Sequence, residues 1–194
     1  MTRRFAAALF AAACLIPPAS AGNTPACPPQ TLPVSSARVV FSPEESGQAA
    51  VIGMIDAASV RVRVAMFHFS NNHIADALIR AHRRGVDTAV ILDKSHLTDK
   101  RSVGPRLLAG GVPVFIDAEH KTAHNKVTVT DGRWVVTGSY NYNTNAETRN
   151  AENLLILDSP ALAARYEENW LSHRAHSSAF TVRPAGSAGA AKQK

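Results

Sequence analysis

A histidine and a lysine two residues apart are the side chains in this sequence whose types and spacing first suggest chemistry. His124 and Lys126 open the run HNKVTVTDGRWVVTGSYN, which covers residues 124–141. Positions i and i+2 of a strand point to the same face, so the imidazole and the ammonium would project side by side. Neither group is buried without a cost in free energy, so such a pair at the start of a strand marks a candidate functional site.

Further polar residues follow the predicted hairpin. Asp131-Gly132 is a strong hairpin dipeptide, and it would join two strands at 126–130 and 134–137. Ser139 and Asn141 then repeat the spacing of two, and Glu152 lies just ahead of the last predicted strand. The valines at 127 and 129 would face the core, which leaves the histidine and the lysine on the opposite face.

The complete string resembles a known motif. His124-x-Lys126-x4-Asp131-x6-Gly138-Ser139-x-Asn141 resembles the HKD signature of the phospholipase D superfamily. The flanking segments 65–93 and 150–157 are similar to the units that surround the motif in that family. The resemblance runs from near Val60 to near Asn169 and so covers most of the predicted domain.

The resemblance implies a mechanism and a set of roles. In this family a histidine attacks phosphorus to form a phosphohistidine, and a second histidine protonates the leaving oxygen. The implied candidate catalytic residues are His124, Lys126, Asp131 and Glu152. The implied phosphate-binding residues are Lys126, Ser139 and Asn141. Glu152 would orient and charge the imidazole, whereas Asp131, at the hairpin turn, is expected to be mainly structural. No metal and no cofactor are expected, because no acids or histidines at ligand spacing accompany the motif.

The mechanism needs two histidines, but the sequence contains one H-x-K. Short single-motif chains are similar to the secreted bacterial endonucleases of the family, which form two-fold dimers with one active site across the interface. The resemblance therefore implies a homodimer in which two copies of His124 meet. The other histidines lack the pattern and are interpreted as surface or packing residues: His68, His73, His82, His96, His120, His173 and His176. For His120-Lys121, a contact to a phosphate backbone at the rim of the site is kept as an alternative.

The charge of the chain favours an anionic substrate. The formal net charge is +6, and loss of residues 1–21, which hold two arginines and no acid, lowers it to +4. A basic surface favours nucleic acid or anionic lipid headgroups. The leading hypothesis is a nuclease that acts on DNA or RNA without sequence preference. The alternatives are a phospholipase D acting on phospholipid headgroups and a non-enzymatic nucleic-acid-binding module. The absence of an amphipathic, aromatic-rich segment argues against stable membrane insertion.

The ends of the chain differ from its middle. Residues 1–21 combine a basic head, an apolar run and a small-residue cleavage site, which predicts a signal peptide and export to the periplasm or outside the cell. Residues 22–36 are predicted to be a linker and residues 184–194 a disordered tail, so the domain would span 37–183. Cys27 is the cysteine left after cleavage, so no internal disulfide is expected.

The elements that must position the site alternate between strand and helix. Hydrophobic periodicity predicts strands at 38–41, 60–67, 88–92, 112–116, 126–130, 134–137 and 153–157. It predicts helices at 47–57, 72–84, 101–109 and 160–173. This order predicts an α/β fold with a central mixed β-sheet sandwiched between helical layers, the arrangement that the resemblance also implies.

Overall fold

Strands and helices alternate through residues 31–182, the part of the chain that the computed structural model describes. The strands are β1 (Ser36–Ser42), β2 (Arg61–Met66), β3 (Asp87–Asp93), β4 (Val114–Asp117), β5 (Lys126–Thr130), β6 (Trp134–Gly138), β7 (Glu152–Asp158) and β8 (Ser178–Ala179). The helices are α1 (Gly47–Ala57), α2 (Asn72–Arg83), α3 (Gly104–Ala109), α4 (Thr144–Thr148) and α5 (Pro160–His176), with a short 3-10 helix at Lys94–Leu97.

Several predictions concern segments at the chain ends that the structure does not describe. The signal peptide at 1–21, Cys27, most of the linker at 22–36 and the tail at 184–194 lie outside the described residues. Export therefore stays a prediction from the sequence. Within residues 31–182, no helix has the length and apolar character needed to cross a bilayer.

All eight strands of the described region join one sheet in the order β1-β7-β6-β5-β2-β3-β4-β8. The pairs β2–β3 and β3–β4 are parallel, and the remaining pairs are antiparallel. The predicted mixed sheet with an antiparallel hairpin is thus confirmed. Strand β5 lies in the middle of the sheet, between β2 and β6, so the residues at its start are held by neighbours on both sides.

Helices cover both faces of this sheet. On one face, Val51 and Ile55 of α1 and Leu78 of α2 pack in one buried cluster with alternate residues of β2 and β3. On the other face, α5 contributes Ala163 to a cluster with three valines of the hairpin. It also contributes Trp170 to a cluster with Ala65 of β2 and with Ala89 and Ile91 of β3. The predicted sandwich of helical layers is therefore the observed architecture.

Helix α2 shows why the sequence pattern was informative. The Asn71 side chain caps it by accepting hydrogen bonds from the backbone N–H groups of His73 and Ile74. The apolar residues whose helical spacing predicts α2 are all fully buried: Ile74, Ala77, Leu78 and Ala81. The helix ends before Gly85, whose φ of +88° suits glycine.

Other boundaries differ from the predictions. Helix α3 begins at Gly104 and not at residue 101, with a proline in its first turn. The 3-10 helix, α4 and β8 were not predicted, because segments of two to five residues are too short to show a periodicity.

Candidate active site

The start of β5 places His124 and Lys126 at one edge of the sheet. Lys126 is opposite Met66, the last residue of β2, and the Asn125 carbonyl accepts a hydrogen bond from Phe67 N–H at 2.8 Å. The ammonium Nζ of Lys126 lies 3.2 Å and 3.3 Å from the two ring nitrogens of His124 and donates to the His124 carbonyl at 3.0 Å. His124 is exposed and Lys126 is half-buried. The predicted side-by-side placement of the pair is confirmed.

Phe67 supports this pair, although sequence reasoning did not single it out. Its ring packs on the His124 ring with 4.5 Å between centroids, and Lys126 Nζ lies 5.1 Å from its centre. The buried His96 holds the Phe67 backbone, because His96 Nε2 is 3.0 Å from the Phe67 carbonyl and its Nδ1 is 2.8 Å from Ser102 Oγ. Burial lowers the pKa of His96. The interpretation of His96 as a packing residue is confirmed.

Gly138 allows Ser139 to reach the same edge. Its φ is +146°, and a Cβ there would lie 2.2 Å from the Asn153 carbonyl oxygen, so only glycine fits this close approach to β7. Ser139 N–H then donates to that carbonyl at 3.0 Å, and Ser139 Oγ accepts from Asn153 N–H at 3.1 Å. The antiparallel pairing of β5 with β6 brings the end of β6 beside Lys126.

Asn141 lines the cavity beside this edge. Its side-chain oxygen is buried and has no hydrogen-bond partner in the described residues. A buried polar atom without a partner lowers the stability of the fold unless a ligand or a water molecule donates a hydrogen bond to it. The neighbouring Asn143 caps α4 by accepting from Ala146 N–H at 2.9 Å, a role that a serine or threonine would also fill.

The two tyrosines of the motif loop are part of the core and do not face the site. Tyr140 and Tyr142 are each 1% exposed, so neither ring can stack on a base. Tyr140 OH donates to Glu147 at 2.5 Å, and Tyr142 OH is 2.7 Å from Thr128 Oγ1. Burial raises the pKa of both phenols, so both stay neutral at physiological pH.

Glu152 lies at the start of β7, at the same edge. Its carboxylate accepts from Asn150 Nδ2 at 2.9 Å. Its charge acts on Lys126: burial lowers the pKa of that ammonium, and Glu152 opposes the shift. No ion pair or hydrogen bond joins Glu152 to His124 within residues 31–182, so the expected orientation of the imidazole by Glu152 stays a prediction.

The structure places Asp131 away from the other candidate catalytic residues. Asp131 lies at the far end of β5, roughly 16 Å from the start of the strand at about 3.3 Å per residue. Its carboxylate accepts hydrogen bonds from the backbone N–H groups of Val60 at 2.8 Å, Arg61 at 2.9 Å and Ser59 at 3.0 Å. Burial opposes ionisation of Asp131, but these donors outweigh burial and hold its pKa below the usual value. These contacts support the structural role that its turn position suggested, and a catalytic role for Asp131 stays an untested prediction.

The interpretation of His120, His173 and His176 as separate surface or packing residues also needs correction. The loop after β4 and the end of α5 bring the three rings around the buried carboxylate of Asp117. Burial disfavours the charged form of Asp117, but hydrogen bonds from His173 and His120 outweigh it and hold its pKa well below the usual range. The sequence contained a signal for this cluster in two pairs of ligand-type residues, each separated by two other residues: Asp117-x2-His120 and His173-x2-His176. The two pairs lie far apart in the sequence.

A cavity of about 640 Å³ adjoins the edge at Asn141. Its lining is predominantly polar and includes His68, Asn72, Lys100, Arg101, Asn141 and Asn150. Imidazole, ammonium, hydroxyl and amide groups at one edge are the kinds of group that suit attack on a phosphorus atom and binding of its oxygens.

Comparisons with known proteins agree with this assignment. Residues 51–173 match the family described as "Cardiolipin synthase, PLD-like domain". The chain is 36% identical over 141 residues to a phospholipase D of Rickettsia bellii, which covers 73% of this chain and 70% of the relative. It is 36% identical over 110 residues to a mitochondrial cardiolipin hydrolase of Xenopus laevis, and the match spans 52% of that relative.

Solved structures share the fold. The phospholipase D family member Nuc from Salmonella typhimurium aligns with a TM-score of 0.72 at 31% identity, over 76% of this chain and 99% of Nuc. NucT from Helicobacter pylori aligns with a TM-score of 0.67 at 22% identity, over 75% of this chain and 99% of NucT. The chain belongs to the phospholipase D superfamily and is a phosphodiesterase of that class.

Proposed function

We propose that this phosphodiesterase is a non-specific endonuclease that hydrolyses DNA or RNA without a catalytic metal ion. The observation that carries the proposal is the polar cavity beside Asn141, with Lys100 and Arg101 in its lining. Ammonium, guanidinium and amide groups suit a sugar–phosphate backbone, whereas acyl chains need apolar walls. The net charge of +6 favours the same polyanionic substrate.

The proposed reaction has two steps. First, the His124 imidazole attacks phosphorus and forms a P–N bond, while the bond to the leaving oxygen breaks and a second imidazole donates a proton to that oxygen. Next, that second imidazole takes a proton from water, and the water oxygen attacks phosphorus and breaks the P–N bond. Lys126, Ser139 and Asn141 hold the non-bridging oxygens throughout and stabilise the charge that develops on them.

The second imidazole comes, in this proposal, from a second copy of the chain. His124 is exposed at the edge of the sheet, where a two-fold axis could bring its symmetry mate opposite. Two apolar side chains of the nearby edge strand β1 are also exposed, Val39 at 42% and Phe41 at 52%. Phe41 lies opposite Asn153 in the register of β1 and β7, directly beside Glu152. These side chains offer apolar area for a partner next to the site.

A subunit-mixing experiment tests the shared site. Wild-type protein is mixed with increasing excess of His124→Ala protein, allowed to exchange, and assayed on plasmid DNA. Heterodimers hold one imidazole, so wild-type activity should fall with the fraction of homodimers that remain. His73→Ala protein, which changes an exposed histidine of α2, is the matched control and should not inhibit. Full activity in the mixture, together with a monomeric mass by light scattering, would contradict the shared site.

A phospholipase D activity is the second candidate, because the curated relatives carry that name. The two candidates share the catalytic groups and differ in the substrate. Purified mature protein is therefore incubated with plasmid DNA, with RNA, and with phosphatidylcholine–cardiolipin vesicles, each beside the His124→Ala control. Cleavage of nucleic acid with little release of headgroup supports the nuclease. If headgroup were released at a rate far above that of nucleic acid cleavage, the proposed nuclease function would be wrong and phospholipase D activity would take its place.

A further inference from the structure

A cluster of three imidazoles and one carboxylate lies outside the candidate active site. Asp117 is the last residue of β4 and is fully buried, and His120 follows in the next loop. His173 and His176 come from the last turn of α5. One ligand-type atom from each of the four residues lies within 4.8 Å of the others.

The three imidazoles converge on one oxygen atom. Oδ2 of Asp117 lies 2.7 Å from Nδ1 of His173, 2.9 Å from Nδ1 of His120 and 3.3 Å from Nε2 of His176. A carboxylate oxygen offers two lone pairs, so it cannot serve three ring N–H donors equally well. The nitrogen that is left over is His176 Nε2, which is buried and has no hydrogen-bond partner in the described residues.

These separations fit the ligands of a small tetrahedral cation. With metal–nitrogen and metal–oxygen bonds near 2.0–2.1 Å, neighbouring ligand atoms of a tetrahedral site lie about 3.3 Å apart. The three distances from Asp117 Oδ2 to the nitrogens, 2.7, 2.9 and 3.3 Å, lie at or below that value, so the closer nitrogens would move outward by up to about 0.6 Å on binding a cation. A cation among the four atoms would therefore satisfy the unpaired nitrogen with small movements of the side chains.

The surroundings supply the outer contacts that such sites use. Nδ1 of His176 lies 3.8 Å from a carboxylate oxygen of Glu119, which is longer than a hydrogen bond. Glu119 is exposed, so a small rotation of its side chain would place a carboxylate behind the ring, where it orients a metal ligand. The His120 side chain is 47% exposed, so solvent and a metal ion can reach the cluster. Three imidazoles with one carboxylate form a donor set that suits zinc better than magnesium or calcium.

We propose that Asp117, His120, His173 and His176 form a structural zinc site that ties the end of α5 to the loop leading into His124. The loop is also held at two other points, since Lys94 Nζ donates to the His120 carbonyl at 2.8 Å and Ala123 N–H donates to Asp93 at 2.8 Å. All four ligand positions are filled by side chains, as in structural zinc sites, so the metal leaves no open position for catalysis. The site is separate from the phosphodiesterase chemistry and does not depend on the proposed substrate.

Metal content and thermal stability test the site directly. The purified mature protein is stripped with chelator, reconstituted with zinc chloride, desalted, and analysed by mass spectrometry for zinc. About one zinc per chain is expected, with a Tm above that of the stripped protein. When cobalt chloride replaces zinc chloride, the wild-type protein should show the intense visible absorption of a tetrahedral Co²⁺ site. This test needs no variant.

Variants locate the metal. His120→Ala changes a half-exposed side chain and should fold, yet it should lose most of the bound zinc and the zinc-dependent rise in Tm. His176→Ala should behave in the same way. His73→Ala and His124→Ala are the controls, and both should keep about one zinc per chain. Stripped wild-type protein that takes up no zinc and has the same Tm in chelator and in zinc chloride would overturn the proposal. Loss of zinc in His124→Ala with retention in His120→Ala would overturn it as well.

Discussion

Replacing Asp131 by alanine should destabilise the protein while leaving catalysis per folded molecule intact. The half-buried Arg61 N–H would lose its acceptor, which costs about 2 kcal/mol. Alanine at the φ of 56° that Asp131 adopts costs about 1 kcal/mol more. The N–H groups of Ser59 and Val60 are exposed and can bond to water instead, so they add little. The total is about 3 kcal/mol, which corresponds to a fall in Tm of about 6–12 °C for a domain of this size.

The assay compares urea or thermal unfolding with plasmid cleavage measured well below the transition. Asp131→Asn is the matched control, because asparagine tolerates a positive φ and keeps one acceptor oxygen. It should lose less stability than Asp131→Ala. The low pKa of Asp131 means that its ionised form stabilises the fold above the ordinary carboxyl pKa of about 3.9, and that this contribution disappears as pH falls through the lower folded value. The stability gap between wild type and Asp131→Asn should therefore stay constant from pH 7 down to about pH 5 and narrow only as pH falls below about 4. An unchanged Tm together with a severe loss of the cleavage rate per folded molecule would refute the structural assignment.

Three further predictions concern the edge of the sheet. His124→Ala should abolish plasmid cleavage and keep a Tm close to that of the wild type, because the side chain is exposed. Lys126→Ala should also lower the cleavage rate severely. Substantial activity of the His124→Ala protein under matched conditions would contradict the assignment of His124 as the nucleophile. The rate should pass through a maximum with pH, because the proposed mechanism needs one neutral and one protonated imidazole, and a rate that rose steadily to high pH would contradict it. Glu152→Gln should lower the pKa of Lys126 further, because Glu152 opposes the burial that lowers it, and an unchanged Lys126 pKa in an NMR titration would contradict this coupling. Both the wild-type protein and the His120→Ala variant should still cleave plasmid DNA in EDTA at low temperature. If both proteins lost activity in EDTA and regained it with magnesium, the chemistry would need a metal.

The sequence predicted elements whose signals are local. Helices α1 and α2 and the hairpin strands follow from apolar spacing and the Asp131-Gly132 turn, and each of these signals lies within a dozen residues. The order of the strands could not be read in the same way. The insertion of β5 between β6 and β2 depends on contacts between segments that are distant along the chain. Local periodicity contains no information about such contacts.

The same distinction between local and distant contacts applies to the residues of the candidate site. His124, Lys126, Ser139 and Asn141 were found from spacing, because one hairpin brings them together. Phe67 was missed, since an aromatic residue after a strand looks like an ordinary core residue until its contact with the His124 ring is seen. The histidines around Asp117 were missed for another reason. Neither x2 pair is informative by itself, and only the packing of α5 against the end of β4 unites them.

The two ends of β5 explain why a motif with catalytic residues also contains Asp131. Lys126 reaches the site face only when it lies opposite Met66 of β2, because a shift of one residue would turn its side chain to the α5 face. Asp131 binds the backbone at the start of β2 through Val60 and Arg61, and Asp131 N–H donates to the Arg61 carbonyl at 2.8 Å. These bonds set the same register from the opposite end of the pair. The carboxylate therefore acts on the site through strand alignment, and the remaining β2–β5 pairs preserve that alignment in folded Asp131 variants.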